Sequence, residues 1–434
     1  MKIKEVTAIQ ILDSRGNPTI KATVTLEKGL SASFSVPSGA STGSHEAIEL
    51  RDGGHDFGGF GVKNAINNIL VEIAPAIIGM EATKQREIDE LMISIDGTEN
   101  KSRLGANAIL AVSGAVSRAA AKGLGLPLYV YLRELYEQDG SWQPELKLDT
   151  DFVLPKMFFN IINGGKHAEN NLDVQEMMIV PQRQTISENV MVATEVYHSL
   201  KKVLKQKNLS TGLGDEGGFA PNVESNQKGL DYLIEAIELA GYKSKEDVCI
   251  ALDVAATEIF ESDKDEKYVL SSDNGSKIAL NSHQMTSWYN ELVGKYPIIS
   301  IEDGLAEDDY EGWTAMTAKI SDKVQLVGDD LFVTNIKRIS EGIEKKMANA
   351  VLIKINQIGS ITETFDAIRL ATRNGYNCMI SHRSGETEDS YIADLVVATG
   401  TGQIKSGAPA RGERTAKYNR LLEIESELNT NKGE

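Results

Sequence analysis

The 434 residues, 41% hydrophobic and 25% charged, have the balance of a globular chain too long for one ordinary core, so two domains are expected. A net charge of −18 without a basic stripe argues against nucleic acid as a primary partner, and makes any anion site a local island of positive charge. No apolar run reaches the roughly eighteen residues of a membrane span, and the start, "MKIKEVTAIQIL", alternates like a strand where a secretory signal would be unbroken, so a cytoplasmic address is expected.

Residues 1–140 read as an α+β domain, strands first and helices after. "PTIKATVTLEKG" alternates at Ile20, Ala22, Val24 and Leu26, and "SASFSVP" at Ala32, Phe34 and Val36, with "EKG" as the turn between them. "VPSGASTGSHEA" is a loop rich in glycine and serine, either a plain turn or a lid over a site. Ile66, Ile69, Leu70 and Ile73 keep the spacing of one helix face, and "ANAILAVSGAVSRAAAKG" is an alanine-rich helix stopped by Gly123, Gly125 and Pro127. "EQDGSWQPELKLDTD" then reads as a connector.

Residues 141–434 change rhythm, alternating short apolar strands with helical segments: "VCIALDVAA", "YPIISIEDG", "KVQLVGDD", "AVLIKINQ", "NCMISHRS" and "TGQIKSG". That spacing fits βα units closing into an eight-stranded TIM-like barrel. Too few residues separate "MFFNIING" from "VQEMMIV" for a parallel crossover, so the first two strands should pair antiparallel. Cys249 and Cys378 both sit in apolar runs and read as buried thiols rather than a bridge.

Each later strand finishes on an ionisable residue: Asp253, Glu302, Asp329, Lys354, His382 and Lys405. In a βα barrel the carboxyl ends of the strands share one face, where the active site lies, so three acids and three bases converge there. Asp253, Glu302 and Asp329 offer hard oxygen ligands without cysteine or histidine, a set that selects Mg²⁺ or a similar ion; the alternative is three solvated helix caps. "NGGKHAENNLDVQEMMIV" adds His167, Gln175 and Glu176, and "GLGDEGGFAPN" places Glu216 among glycines that permit close backbone approach.

The motifs "DSRGNPT", "VPSGASTG", "NGGKHAENN", "GDEGGFAPN", "SIEDGLAEDD", "LIKINQIGS", "SHRSGETED" and "GQIKSGAPARGERTAKYN", spread over nearly the whole chain, make it resemble the enolases, the phosphopyruvate hydratases of glycolysis, in their bacterial form. The resemblance implies a small α+β domain followed by a barrel that opens ββαα. It implies a lyase acting on 2-phosphoglycerate, two Mg²⁺ ions, and a homodimer or ring of dimers. At matching positions it implies that Asp253, Glu302 and Asp329 hold the first ion, and that Ser41 joins a second as the lid closes. Lys354 is then the base at carbon 2, Glu216 the acid at carbon 3 with Glu176 beside it, and His167, Gln175, Arg383, Ser384 and Lys405 contact the substrate, which His382 borders. A base must be neutral, so burial and nearby cations are expected to lower the Lys354 pKa. "HDFGGFGVKNA" and Ala410 in "GAPAR" depart from the usual family pattern, at positions without an assigned role. A relative that abstracts an α-proton for another reaction would share the metal acids but lack His167, Glu216 and the serine loop together. A non-catalytic protein on this fold would be free to lose Lys354. A surface or secreted role beside catalysis leaves no mark in the residues.

Overall fold

The computed structural model describes residues 1–39, 43–138, 152–261, 267–271 and 276–431. Most of the expected connector, and Ser41 of the expected lid, lie outside those residues. The chain begins with an antiparallel sheet of β1 (Ile3–Leu12), β2 (Pro18–Leu26) and β3 (Ser31–Ser35), in that order. Ile20, Ala22, Val24 and Leu26 are all buried, as the alternation predicts, beneath the helix Ala106–Leu124. A Cβ on Gly114 would come within 2.5 Å of the Phe34 ring, so glycine sets how closely this helix approaches β3. The helix stops at Gly125, whose φ of +72° suits glycine at the end of a helix. The earlier helical run differs from its simple periodicity. A π turn at Ile69–Ile73 widens the spiral, so Ile69 and Ile73 are buried while Leu70 faces out.

The second part is a closed barrel. It opens with β4 (Lys156–Asn163), β5 (Glu176–Pro181) and β6 (Val248–Asp253). A small antiparallel sheet of β7 (Phe260–Glu261), β8 (Lys267–Ser271) and β9 (Lys277–Leu280) is inserted next. The barrel resumes with β10 (Ile298–Glu302), β11 (Gln325–Gly328), β12 (Ala350–Ile353), β13 (Asn377–Ser381) and β14 (Gln403–Lys405). Only β5 runs against its barrel neighbours, β4 and β6, as the short link requires. Two helices, Ile186–Gln206 and Asn226–Leu239, then lead to β6, which gives the ββαα opening. The barrel interior is packed by Phe158, Met178, Val180, Ala251, Val327, Leu352 and Met379, so it is a core with a mouth and not a pore.

The first domain is fastened to the barrel by buried polar contacts. Arg118 forks onto Asp389 with two 2.6 Å hydrogen bonds, and Asp89 accepts from both the backbone and the hydroxyl of Thr362. Cys249 and Cys378 are free and buried. No single helix among the described residues is long and apolar enough to cross a membrane. The apolar pair Ala106–Leu124 and Leu128–Glu137 is bent by 109°, and most of the longer helix is buried in the fold.

Candidate active site

The strand ends converge as expected. Asp253, Glu302 and Lys405 close their strands, and Asp329, Lys354 and His382 immediately follow theirs. Because β5 is reversed, its first residue reaches the same mouth, and Glu176 pairs in register with Asp253. One cavity is lined by His167, Gln175, Glu176, Glu216, Asp253, Asp329, Lys354, His382, Arg383, Ser384 and Lys405. Glu302 sits against it through Lys405.

Cations and carboxylates interlock at the floor. Lys405 Nζ lies 2.7 Å from Glu302, 3.2 Å from Glu176 and 3.4 Å from Asp253, and these carboxylates hold its ammonium well above its ordinary range despite burial. Burial and the neighbouring Asp253 push Glu302 well above the usual carboxylate range. Lys354 is ion-paired to Asp329 Oδ2, while Asp329 Oδ1 accepts from Gln357 at 2.8 Å. Here the expectation for Lys354 is reversed. Burial, Arg383 and Lys405 do pull its pKa down, but the contact with Asp329 outweighs them and raises it. The cations near this lysine are outweighed by an anion in direct contact with it.

The acid side is a second interlocked group. His167 Nδ1 lies 3.4 Å from Glu176 and 3.6 Å from Glu216, and Asn160 donates to Glu216 at 2.8 Å. Arg414 NH1 approaches His382 Nδ1 at 2.6 Å. An arginine only donates, so Nδ1 accepts and the imidazole proton sits on Nε2, 3.2 Å from Glu216. Burial, with Arg414 and Lys405 nearby, pushes His382 down to about 3, which keeps it neutral. Burial and the charge of Glu216 push Glu176 up to about 7, whereas His382, His167 and Arg414 hold Glu216 well below the usual range. The two carboxylates are thus driven apart, Glu176 towards its acid form and Glu216 towards its carboxylate.

Sequence models of two families match the chain. "Enolase, N-terminal domain" covers residues 3–132 and "Enolase, C-terminal TIM barrel domain" covers residues 151–433. A curated relative named "Enolase", from a Nitratiruptor species, is 54% identical over 98% of this chain and 97% of its own length. The chain belongs to the enolase family.

Enolases are metal-dependent, and the mouth suits a hard cation. Glu302 Oε2 and Gln175 Oε1 are buried acceptors without a hydrogen bond, and the carboxylates around them are hard oxygen donors. Among the described residues, Asp303, Asp329 and Asp330 bring carboxylate oxygens within 4.8 Å of one another, and a ring nitrogen of His167 lies within the same distance of oxygens of Glu176 and Glu216, while Asp253 and Glu302 lie around Lys405. Asp303 was missed at the sequence level. It accepts from the backbone N–H groups of Asp329 at 2.8 Å and Asp330 at 2.9 Å, and so fixes the turn that aims Asp329. Its signal was the second acid in "SIEDG". Arg414, fully buried, was missed as well, because nothing local marks a helix arginine as the partner of a histidine 32 positions earlier.

Proposed function

We infer that this member of the enolase family is a lyase that reversibly dehydrates 2-phospho-D-glycerate to phosphoenolpyruvate. The observation that carries the reading is one cavity lined together by a lysine, Lys354, and a carboxylate pair, Glu176 and Glu216, with Lys405 ion-paired to Glu176 beside them. The proton on carbon 2 is very weakly acidic, because its removal leaves two negative charges on one carboxyl group. Lys354 takes that proton, and Lys405 stabilises the developing charge by proximity in a site with little water. Lys354 becomes a competent base when Asp329 is engaged elsewhere, since burial, Arg383 and Lys405 then act on it without their main opponent.

Departure of the carbon 3 hydroxyl needs an acid. Glu216 delivers the proton, Glu176 stores it, and His167 lies between the two within reach of both. Arg383, Ser384, Gln175 and His167 contact the substrate, and His382 borders it as a neutral ring. Asp253, Glu302 and Asp329 would hold one Mg²⁺, and Ser41 would contribute to a second that accompanies the substrate. When bound, these ions supply electrostatic stabilisation of the charge that builds on the substrate carboxylate. Burial favours the neutral form of Glu302, so its service as a ligand would be favoured by rising pH.

We carry three further parts of the reading forward: a cytoplasmic address, a first domain ending near residue 140, and a homodimer or ring of dimers, for which the exposed Ile9 and Leu12 of β1 are candidate contacts. The decisive experiment mixes purified protein, Mg²⁺ and 2-phosphoglycerate and follows the ultraviolet absorbance of the enol phosphate. Rising absorbance is expected; a flat trace with folded protein sinks the reading.

A further inference from the structure

Glu46 comes from the first domain and is buried, yet it faces the barrel mouth. Its carboxylate takes two hydrogen bonds from one edge of the Arg383 guanidinium, NH1 at 2.9 Å and NH2 at 3.2 Å. The same carboxylate accepts from the Gly43 backbone at 3.1 Å and from Gln357 Nε2 at 3.4 Å. Gln357 in turn donates to Asp329, and its carbonyl accepts from Ala47 N at 2.8 Å. Asn356 accepts from Arg383 NH1 at 3.1 Å. The segment around Glu46 is thus tied to the end of β12 and to the arginine that follows β13, 337 positions away in the chain.

We propose that Glu46 is a positioning residue, which holds the Arg383 guanidinium in the plane and place needed to receive the phosphate of the substrate. A two-point arginine to carboxylate contact fixes orientation as well as charge, so one edge of the fork is anchored by the protein itself. The charges of Asp329 and Glu49 also act on Arg383. Without Glu46 the guanidinium turns towards those carboxylates, and towards Asp329 it would compete with Lys354 and with metal ligation. The first domain thereby contributes to substrate affinity through a side chain that never touches substrate.

The proposal rests on Arg383 being a substrate contact, so its test measures both residues. KM and kcat for 2-phosphoglycerate and the inhibition constant of inorganic phosphate are determined for wild type, Glu46→Gln, Glu46→Ala, Arg383→Ala and the double variant Glu46→Ala/Arg383→Ala. Losing one partner of a buried, hydrogen-bonded charge pair should raise KM and the phosphate inhibition constant in Glu46→Ala by about tenfold or more, with a smaller loss in kcat. Glu46→Gln, which keeps an acceptor oxygen and the shape, should fall between. In the double variant the effects should not multiply, because Glu46 acts through Arg383. Wild-type constants in both Glu46 variants, or effects that multiply in the double variant, overturn the proposal while leaving Arg383 as a ligand. An Arg383→Ala variant with unchanged constants overturns the assignment of Arg383, and the proposal with it. Should Glu46→Ala fail to fold, Glu46→Gln against the same two constants decides alone.

Discussion

Lys354 stands between opposing forces, and which one wins decides its chemistry. Burial and two cations favour the free amine, while Asp329 favours the ammonium and prevails. Replacing Lys354 by Ala removes the proposed base, so exchange of the carbon 2 proton with solvent should stop and turnover should fall by about 10²–10⁴-fold. Glu216→Gln should leave that exchange running while blocking loss of water, because it removes only the acid of the second step and leaves the base in place. Deuterium uptake followed by NMR separates the outcomes, and wild-type exchange in Lys354→Ala would remove the base assignment. At this scale the sequence revealed the residues that end strands, because the period of a barrel puts all such ends on one face. It concealed Glu46, Asp303 and Arg414. Their meaning lies in partners brought close by the fold, such as Arg383 for Glu46, and no spacing rule reaches that far.

Elements were legible where a length or a period constrained them. The reversal of β5 followed from a link too short to cross over, and it also explains why Glu176 reaches the mouth from the start of its strand. The π turn at Ile69–Ile73 was not legible, since an extra residue in one turn leaves composition unchanged and shifts only the face. Between elements, the docking of helix Gln85–Asp96 on helix Ile361–Arg373 turns on Asp89. It is fully buried, bonded to Thr362 and Gln85, and burial raises its pKa from 3.8 to about 6. The folded chain therefore binds more protons than the unfolded one between those values, so this contribution is fully present below about pH 4 and is lost as pH rises through about 6. The whole effect is at most about 3 kcal/mol. Urea midpoints of Asp89→Asn relative to wild type should therefore rise as pH goes from 4 to 7, because only wild type carries the loss. A constant difference across that range would show that Asp89 does not titrate at the helix contact.

Across the molecule, a strongly acidic chain has drawn several carboxylates into one buried mouth and set Lys405, Lys354 and Arg383 among them. Such a site is finely balanced: like charges repel, burial works against the charge on Glu302, and Lys405 offsets it from 2.7 Å. A ligand that binds only the folded state stabilises it, by about 2.7 kcal/mol at a hundredfold excess over its dissociation constant. Mg²⁺ should therefore raise the melting temperature without substrate, and a chelator should reverse the rise. Because burial favours the neutral form of Glu302 and a ligand must be ionised, the rise should grow with pH. Glu302→Gln supplies the internal control. Glutamine mimics the neutral acid that burial favours, so this variant should melt close to wild type in chelator yet gain less from Mg²⁺. Calorimetry of both proteins at two pH values, with and without the ion, checks all three expectations. Equal shifts in the two proteins would place the stabilising ion away from Glu302, and no shift in either would remove the metal from the barrel mouth.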